Sequence, residues 1–197
     1  MTAAVLRLAS ASPRRRELLL QIGVPHVVSP ADVDESPGAD ETPRDYVLRL
    51  ARAKAQAAWN AARDLPVLGA DTTVVVDGAI FGKPRDREHA ADMLRALSGR
   101  THEVLTAVAL ATRAGVTAAL SASQVRLRPT TAAERARYWD SGEPRDKAGG
   151  YAIQGLGAVF IEALSGSYSG VMGLPLFETA QLLEAAGVAR WLPEGAA

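Results

Sequence analysis

The residues best suited to anion chemistry lie close to the N-terminus, in the stretch Ser10-Ala11-Ser12-Pro13-Arg14-Arg15-Arg16. An apolar run ends just before Ser10, and Pro13 begins a series of helix formers. The pattern therefore predicts a strand, a tight loop and a helix with Ser12 at its N-cap. Three arginines then occupy the first helical turn, where the helix dipole is already positive. Free N–H groups, hydroxyls and guanidinium groups together favour a phosphate site over the alternative of a solvated basic patch.

A single carboxylate, Asp71, interrupts the most strand-like stretch of the chain, Leu65–Val76. A buried aspartate requires a partner, a metal ion or a proton, because an unpaired charge is costly to desolvate. We therefore favour a functional role for Asp71 over a hydrogen bond to a nearby backbone turn. Asp77-Gly78 predicts a tight turn into a short strand at Ala79–Phe81, after which Lys83 adds an amine nearby.

Two more charged residues belong to neighbouring segments. Lys54 falls in the middle of the apolar face of a helix predicted from Thr42-Pro43 to about Arg63. Lysine is rarely buried without an anion, so Lys54 either pairs with an anion or extends to solvent from the edge of the apolar stripe. Glu35 lies in an acidic loop, residues 32–41, after a short strand predicted at residues 26–29. Such loops are usually solvated, but this one also follows a strand end, where α/β sheets collect ligands.

Together these residues supply the two kinds of charge that phosphoanhydride hydrolysis needs. Hydroxyl and cationic groups for contact with a phosphate chain come from Ser10, Ser12, Arg14, Arg15, Lys54 and Lys83. Glu35 and Asp71 supply carboxylates, which hold a hard divalent cation and orient or deprotonate the attacking water. We therefore hypothesise that a triphosphate with magnesium binds where these segments converge.

The overall composition narrows the alternatives. The 197 residues include 22 basic and 22 acidic side chains, whereas a dedicated nucleic-acid binder usually carries a basic excess. The lack of cysteine excludes a disulfide framework, a thiolate nucleophile and a cysteine-ligated metal. The N-terminus does not resemble a signal peptide and no apolar run is long enough for a membrane span. We expect a cytoplasmic protein with no nucleic-acid or membrane partner, folded as a single domain over residues 1–197.

Several familiar motifs are excluded by their spacing. Gly78–Lys83 is one residue shorter than a Walker A loop, and Pro84 stands where that loop has serine or threonine. Residues 166–170 place Tyr168 where the nucleophile elbow of a hydrolase needs serine. No Gly-x-Gly-x-x-Gly follows the first strand, so a dinucleotide-binding site is disfavoured. The histidines lack zinc-site spacing and are expected to be structural: His26, His89 and His102.

The remaining elements must position these segments. Periodicity predicts helices and strands over Arg85–Leu97, Thr101–Thr112, Val116–Leu127, Thr130–Asp140, Gly157–Glu162 and Leu174–Ala186, with the second and third forming a long antiparallel hairpin. Eight of the 17 glycines lie between Gly142 and Gly173, which is typical of backbone that approaches a ligand or turns sharply. The tail from Pro193 is expected to be frayed. The pattern as a whole predicts an α/β fold.

Six ordered motifs resemble those of the Maf nucleoside triphosphate pyrophosphatases. They are Leu8–Arg15, Asp34-Glu35, Arg52-Ala53-Lys54-Ala55, Gly69-Ala70-Asp71-Thr72, Gly82-Lys83-Pro84 and Leu97–His102, continued by Asp146–Gly155 and Gly173-Leu174-Pro175. The resemblance covers nearly the whole chain. It implies a fold like that of the inosine triphosphate pyrophosphatases, with an elongated mixed β-sheet flanked by helices in two lobes and a cleft between them. It also implies a homodimer.

The resemblance further implies the reaction and the roles of single residues. Members of the family cleave between the α and β phosphates with a divalent metal, Mg²⁺ or Mn²⁺, and give a monophosphate and pyrophosphate. By matched position, Asp71 corresponds to the proton acceptor and Glu35 to an acidic active-site residue. The nucleotide contacts correspond to Ser12, Arg14, Arg15, Lys54 and Lys83, and the positions associated with base selectivity to Arg14, Thr72 and Gln154.

The form of Asp146–Gly155 resembles the branch acting on dTTP and UTP, rather than the branch preferring 7-methyl-GTP. The Gln154 amide offers a donor and an acceptor that suit the carbonyl and N3–H edge of a pyrimidine. Of the three arginines, we expect Arg15 to hold phosphate, Arg14 to help select the base and Arg16 to be solvated. Asp71 acts either as a base or mainly as a metal ligand. The competing hypothesis is a nucleotide-sensing regulator of septum formation with weak hydrolysis.

Overall fold

The computed structural model describes residues 3–191, and helices and strands alternate along most of this range. The strands are β1 (Leu6–Leu8), β2 (His26–Val28), β3 (Val67–Val76), β4 (Ala79–Phe81), β5 (Thr101–Thr112), β6 (Gly115–Leu127) and β7 (Ile161–Ser165). The helices are α1 (Pro13–Gln21), α2 (Pro43–Ala61), α3 (Arg87–Leu97), α4 (Ala132–Asp140), α5 (Tyr168–Met172) and α6 (Leu176–Ala185). The predicted α/β class is confirmed. The predicted frayed tail lies outside the described residues.

One mixed sheet contains all seven strands, in the order β2-β1-β3-β5-β6-β7, with β4 paired to β3. Strand β1 runs parallel to β2 and β3, and the other pairs are antiparallel. On one side of β3 the pairing with β1 ends at Leu68, and the pairing with β4 begins at Val74. Within residues 3–191, the edge of β3 between these points has no strand partner on that side. Asp71 therefore lies at an opening in the sheet.

Helix α2 packs closely on β3 and brings its polar residues to this opening. A Cβ atom added to Gly69 of β3 would lie 2.4 Å from the carbonyl oxygen of Ala51 and 2.6 Å from the amide nitrogen of Ala55. Only glycine permits this approach of helix and strand. Buried side chains of α2, including Val47 and Trp59, complete an apolar core against β3 and β5. The packing places Lys54 directly beside β3.

The starts of α1 and α2 follow the local sequence. Thr42 caps α2, and its hydroxyl accepts a hydrogen bond from the Asp45 amide, with proline in the first turn. Ser12 occupies the N-cap of α1 as predicted, but its side chain makes no capping hydrogen bond. The Ser12 hydroxyl is therefore not used by the helix that it precedes.

The region rich in glycine differs most from the prediction. The strand predicted over Gly157–Glu162 is wrong, because Leu156–Phe160 forms a 3₁₀ helix and the strand is Ile161–Ser165. Glu143 accepts hydrogen bonds from the amides of Leu156 and Gly157 at 2.8 and 2.9 Å, which holds the turn. Further short helices, unpredicted from the sequence, occupy Glu143–Asp146, Ala148–Gly150 and Tyr168–Met172. None of the described helices is both long and apolar enough to cross a membrane.

Candidate active site

A cleft of about 510 Å³ opens beside the unpaired edge of β3. Its lining includes every site residue predicted from the sequence: Ser10, Ser12, Arg14, Arg15, Glu35, Lys54, Asp71, Thr72, Lys83 and Gln154. These residues come from the loop before α1, the acidic loop, α2, β3, the segment after β4 and the glycine-rich region. The fold thus brings these distant segments together around one cleft. The division of the molecule into two lobes stays a prediction.

A lysine between two carboxylates forms the centre of the cleft. The Lys54 Nζ atom lies 2.7 Å from an oxygen of Asp71 and 2.6 Å from an oxygen of Glu35. The side chains of Lys54 and Asp71 are 12% and 11% exposed, whereas that of Glu35 is 53% exposed. Of the two alternatives for Lys54, the geometry supports pairing with anions, and the protein itself provides them.

The two carboxylates differ in their affinity for protons. Burial raises the pKa of Asp71 above its usual value, although the positive charges of Lys54 and Arg15 act in the opposite direction. Burial also acts to raise the pKa of Glu35, but the hydrogen bond and charge of Lys54, together with the charges of Lys83 and Arg15, outweigh burial and lower the pKa. Asp71 is therefore the stronger base, and Glu35 is the carboxylate that stays ionised more readily.

Arg15 is bound to three other segments of the protein. Its Nε donates to the carbonyl of Gly173 at 2.7 Å, and its two Nη atoms donate to the hydroxyls of Ser10 and Thr72 at 3.1 and 3.2 Å. Burial lowers the pKa of Arg15, and the charge of Asp71 opposes this change. Arg15 therefore fixes the geometry of the cleft wall while adding positive charge to it.

Thr72 belongs to a chain of hydrogen bonds that starts at Arg15. The Thr106 hydroxyl lies 3.0 Å from that of Thr72 and 2.7 Å from the carbonyl oxygen of Gly170. A carbonyl can only accept, so the single Thr106 proton goes to Gly170 and the Thr72 hydroxyl donates to Thr106. Thr72 then accepts from Arg15 and keeps one further lone pair as an acceptor.

Arg14 contacts a residue without a predicted role, Asp146. Its Nη1 lies 3.2 Å from an Asp146 carboxylate oxygen, which joins α1 to the glycine-rich region. Asp146 also pairs with Lys147, and both residues line the cleft. Burial acts to raise the pKa of Asp146, but Lys147 and Arg14 lower it overall. No role was predicted for Asp146 from the sequence. The adjacent opposite charges of Asp146 and Lys147 in a glycine-rich motif are the signal that could have identified it.

The other predicted residues differ in their hydrogen bonding. Ser10 accepts from the Ser12 amide at 3.2 Å as well as from Arg15. Lys83 and Gln154 are exposed at the cleft, and no hydrogen bond of their side chains occurs within residues 3–191. Their polar groups are therefore available to a ligand.

Glu35 and Asp71 are the residues suited to a divalent cation. Across residues 3–191, no group of three or more His, Cys, Asp or Glu side chains could hold a metal ion. Mg²⁺ is commonly held by one or two carboxylates together with substrate phosphates and water. The carboxylate pair therefore fits a cation whose coordination a phosphate completes, and it does not fit a cage made by the protein alone.

The histidines lie away from this chemistry, since none of the three is among the cleft residues. His102 is 2% exposed, and its Nε2 lies 2.7 Å from the Tyr151 hydroxyl. Burial lowers the pKa of His102 to about 4, so the ring is neutral near pH 7. His102 thus contacts the cleft lining indirectly, through Tyr151.

Fold and cleft define an α/β protein with a polar cleft that combines a carboxylate pair with arginine and lysine side chains. The family model described as "Maf-like protein" matches residues 5–186. The chain therefore belongs to the Maf-like family.

Similar proteins named dTTP/UTP pyrophosphatase occur in several bacteria. The protein of Methylobacillus flagellatus is 58% identical over 184 residues, which are 92% of each chain. That of Alkalilimnicola ehrlichii is 57% identical over 183 residues, 90% of each chain. That of Bordetella avium is 55% identical over 193 residues, 93% of this chain and 96% of the other. The similarity extends over nearly the full length of these relatives.

Proposed function

We propose that this chain is a nucleoside triphosphate pyrophosphatase that hydrolyses dTTP and UTP to the nucleoside monophosphate and pyrophosphate. The observation that carries the proposal is the contact of Lys54 with both Asp71 and Glu35 in a cleft lined by further cations. The name of the relatives, dTTP/UTP pyrophosphatase, together with their 55–58% identity, supports the choice of substrates. Modified pyrimidine nucleotides belong to the same substrate class.

Asp71 is the proposed proton acceptor. As water attacks the α-phosphorus, its proton passes to Asp71, the bond to the bridging oxygen breaks and pyrophosphate leaves with that oxygen. Burial raises the pKa of Asp71 and makes its carboxylate a better base, while Lys54 keeps it close to the cleft centre. Mg²⁺ or Mn²⁺, held by Glu35 and Asp71, would supply positive charge to the phosphate chain.

The phosphate chain is proposed to meet the cationic and hydroxyl groups of the cleft. Lys83 and Ser12 have side chains available to it, and Ser10 and Arg15 shape the adjoining wall. Lys54 adds positive charge beside the two carboxylates. These groups stabilise the negative charge that gathers on the leaving pyrophosphate.

Base selection is proposed to involve Arg14, Thr72 and Gln154. The spare lone pair of Thr72 can accept a hydrogen bond, and the Gln154 amide can both donate and accept. Such groups complement the N3–H and carbonyl edge shared by uracil and thymine. Arg14 is held by Asp146, and both residues line the same cleft.

The remaining parts of the proposal concern organisation and location. We propose a single domain over residues 1–197, since all seven strands belong to one sheet. The family resemblance supports a homodimer. We propose a cytoplasmic location, because nucleoside triphosphates are present in the cytoplasm. The balanced net charge argues against a nucleic-acid partner.

The decisive test is pyrophosphate release from a panel of nucleoside triphosphates with Mg²⁺ or Mn²⁺. We expect dTTP and UTP to be the best substrates, and Asp71→Asn to lower kcat about 10³-fold while nucleotide binding persists. Asp77→Asn is the matched control, because Asp77 is an exposed carboxylate on the turn after β3 that pairs with Arg100. Binding without release from any nucleotide would instead support a nucleotide-sensing regulator, and full activity of Asp71→Asn would overturn the assigned mechanism.

A further inference from the structure

The acidic loop that carries Glu35 is held by α2 at three successive backbone carbonyls. Arg49 donates to the carbonyls of Asp34 and Ser36 at 3.4 and 3.0 Å. Between these contacts, the Tyr46 hydroxyl donates to the carbonyl of Glu35 at 2.9 Å. Residues 29–38 contain neither helix nor strand, so these side-chain contacts substitute for secondary structure around Glu35.

Arg49 is itself fixed by a carboxylate. Its Nε and Nη2 atoms lie 2.6 and 2.8 Å from the two oxygens of Glu41, which forms a bidentate pair with defined orientation. Glu41 also accepts a hydrogen bond from the Gly38 amide at 3.0 Å, so both ends of the loop are joined to one guanidinium. The Arg49 guanidinium lies 5.6 Å from the centre of the Tyr46 ring.

Helix α2 also contacts the carboxylate of Glu35, through the side chain of Lys54. Lys54 on α2 contacts the Glu35 carboxylate, whereas Arg49 and Tyr46 hold the backbone on either side of it. Since α2 packs closely on β3 at Gly69, attachment of the loop to α2 also sets the position of the loop relative to Asp71. A surface ion pair adds little to stability by itself, so this concentration of contacts on one short loop points to placement of Glu35.

We propose that Arg49, fixed by Glu41, is a positioning residue that holds the acidic loop so that Glu35 reaches the cleft beside Lys54 and Asp71. Tyr46 is the second point of attachment. The inference rests on the proposed function, because it requires that Glu35 takes part in hydrolysis. Loss of the Arg49 contacts releases the loop, lowers the fraction of molecules with Glu35 in place and weakens the response to the divalent cation.

A double-mutant cycle with Arg49→Lys and Glu35→Gln tests the inference. Arg49→Lys keeps the charge but removes the bidentate fork. We expect it to lower kcat/KM for dTTP by about 10- to 100-fold and to raise the half-activating Mg²⁺ concentration, with the base preference unchanged. In the Glu35→Gln background, the same change has no further effect, because the group that Arg49 positions is already lost.

Arg44→Lys is the matched control, since Arg44 lies on the same helix and pairs with one carboxylate, that of Glu103. We expect it to leave activity and metal response unchanged. Tyr46→Phe removes one hydroxyl contact with little change in volume and should lower kcat/KM by roughly 2- to 10-fold. Tyr46→Phe tests the same inference if Arg49→Lys proves unstable. Melting temperatures of the variants distinguish a destabilised fold from a displaced Glu35.

The outcomes distinguish this inference from the function on which it rests. Full activity of Glu35→Gln would remove Glu35 from the proposed mechanism. If Glu35→Gln is impaired but Arg49→Lys and Tyr46→Phe keep wild-type activity and metal response, the positioning role alone is overturned. Equal loss from Arg49→Lys in both backgrounds would also overturn it, because Arg49 would then act independently of Glu35.

Discussion

Two groups of residues that line the cleft, called the carboxylate wall and the base wall, hold their charges in different ways. The carboxylate wall, made of Glu35, Lys54 and Asp71, has one ammonium between two acids, on a helix packed tightly against its strand. The base wall, named for its proposed role in base selection, consists of Arg14, Asp146 and Gln154. Its Arg14–Asp146 ion pair spans 3.2 Å, and the Asp146 side chain is 59% exposed. Gln154 is exposed as well.

This difference separates two requirements of the proposed reaction. Charges that act on the phosphate must stay in one geometry, because small displacements cost large factors in rate. Groups that distinguish one base from another contribute smaller energies and tolerate exposure to water. We therefore expect changes in the carboxylate wall to abolish turnover, and changes in the base wall to alter the choice among substrates.

The largest expected effect is that of Lys54→Met. It removes the only described cation in contact with both carboxylates and leaves Asp71 and Glu35 to repel each other. We expect kcat for dTTP to fall about 10²- to 10³-fold, measured as pyrophosphate release. Arg52→Met on the exposed side of α2 is the matched control and should retain wild-type activity. Retention of activity by Lys54→Met would show that the carboxylate wall works without its central charge.

Gly69→Ala disturbs the same wall through packing. The added methyl group would lie 2.4 Å from the carbonyl oxygen of Ala51, so α2 must move away from β3. We expect the free energy of unfolding to decrease by about 3 kcal/mol, with a parallel loss of activity. Gly82→Ala is the control, because its added Cβ would have no atom within 4 Å. Denaturant titration of both variants measures the difference, and equal stabilities would contradict the tight packing assigned to Gly69.

Burial of His102 beside Tyr151 predicts a dependence of stability on pH. The pKa of His102 is lowered by burial to about 4 from an ordinary value of 6.5. Below pH 6.5 the unfolded chain binds a proton that the folded protein excludes until about pH 4. Stability therefore decreases as the pH falls through this window, by up to about 3 kcal/mol from this group. Chemical denaturation from pH 7.5 to 4 should show a shallower decrease for His102→Gln than for the control His89→Gln, whose side chain is only partly buried.

The smallest expected effect is that of Asp146→Asn. The variant weakens the hold on Arg14 but leaves Glu35, Lys54 and Asp71 unchanged. We expect the ratio of kcat/KM values for dTTP and a purine nucleotide to decrease about 3- to 10-fold, while kcat for dTTP changes less than about 2-fold. Asp140→Asn, an exposed carboxylate paired with Arg87, serves as the comparison. A collapse of turnover in Asp146→Asn would mean that the two walls are not separable.

Much of the fold follows from local sequence patterns. The strand over Thr101–Thr112 has the predicted bounds, and the predicted second strand of the hairpin differs by one residue, since β6 begins at Gly115. Polar residues at unusual positions pointed to the cleft: Asp71 within an apolar strand and Lys54 on an apolar helix face. Prediction was poorest around Gly157, where Glu143 and Tyr138 determine the backbone through contacts distant in sequence.

Outside the glycine-rich region, the sequence by itself determined the main elements and their order, and throughout it determined the types of residue available for chemistry, because periodicity, caps and turns act over a few neighbouring residues. Only the tertiary structure decided the partners. Lys54 meets Asp71 because α2 packs on β3 at Gly69, and Arg15 is bound to Gly173, far along the chain. Arg49, a charged residue on an exposed helix face, holds the loop of Glu35. Such contacts depend on which strands are neighbours in the sheet, and no local pattern records that order.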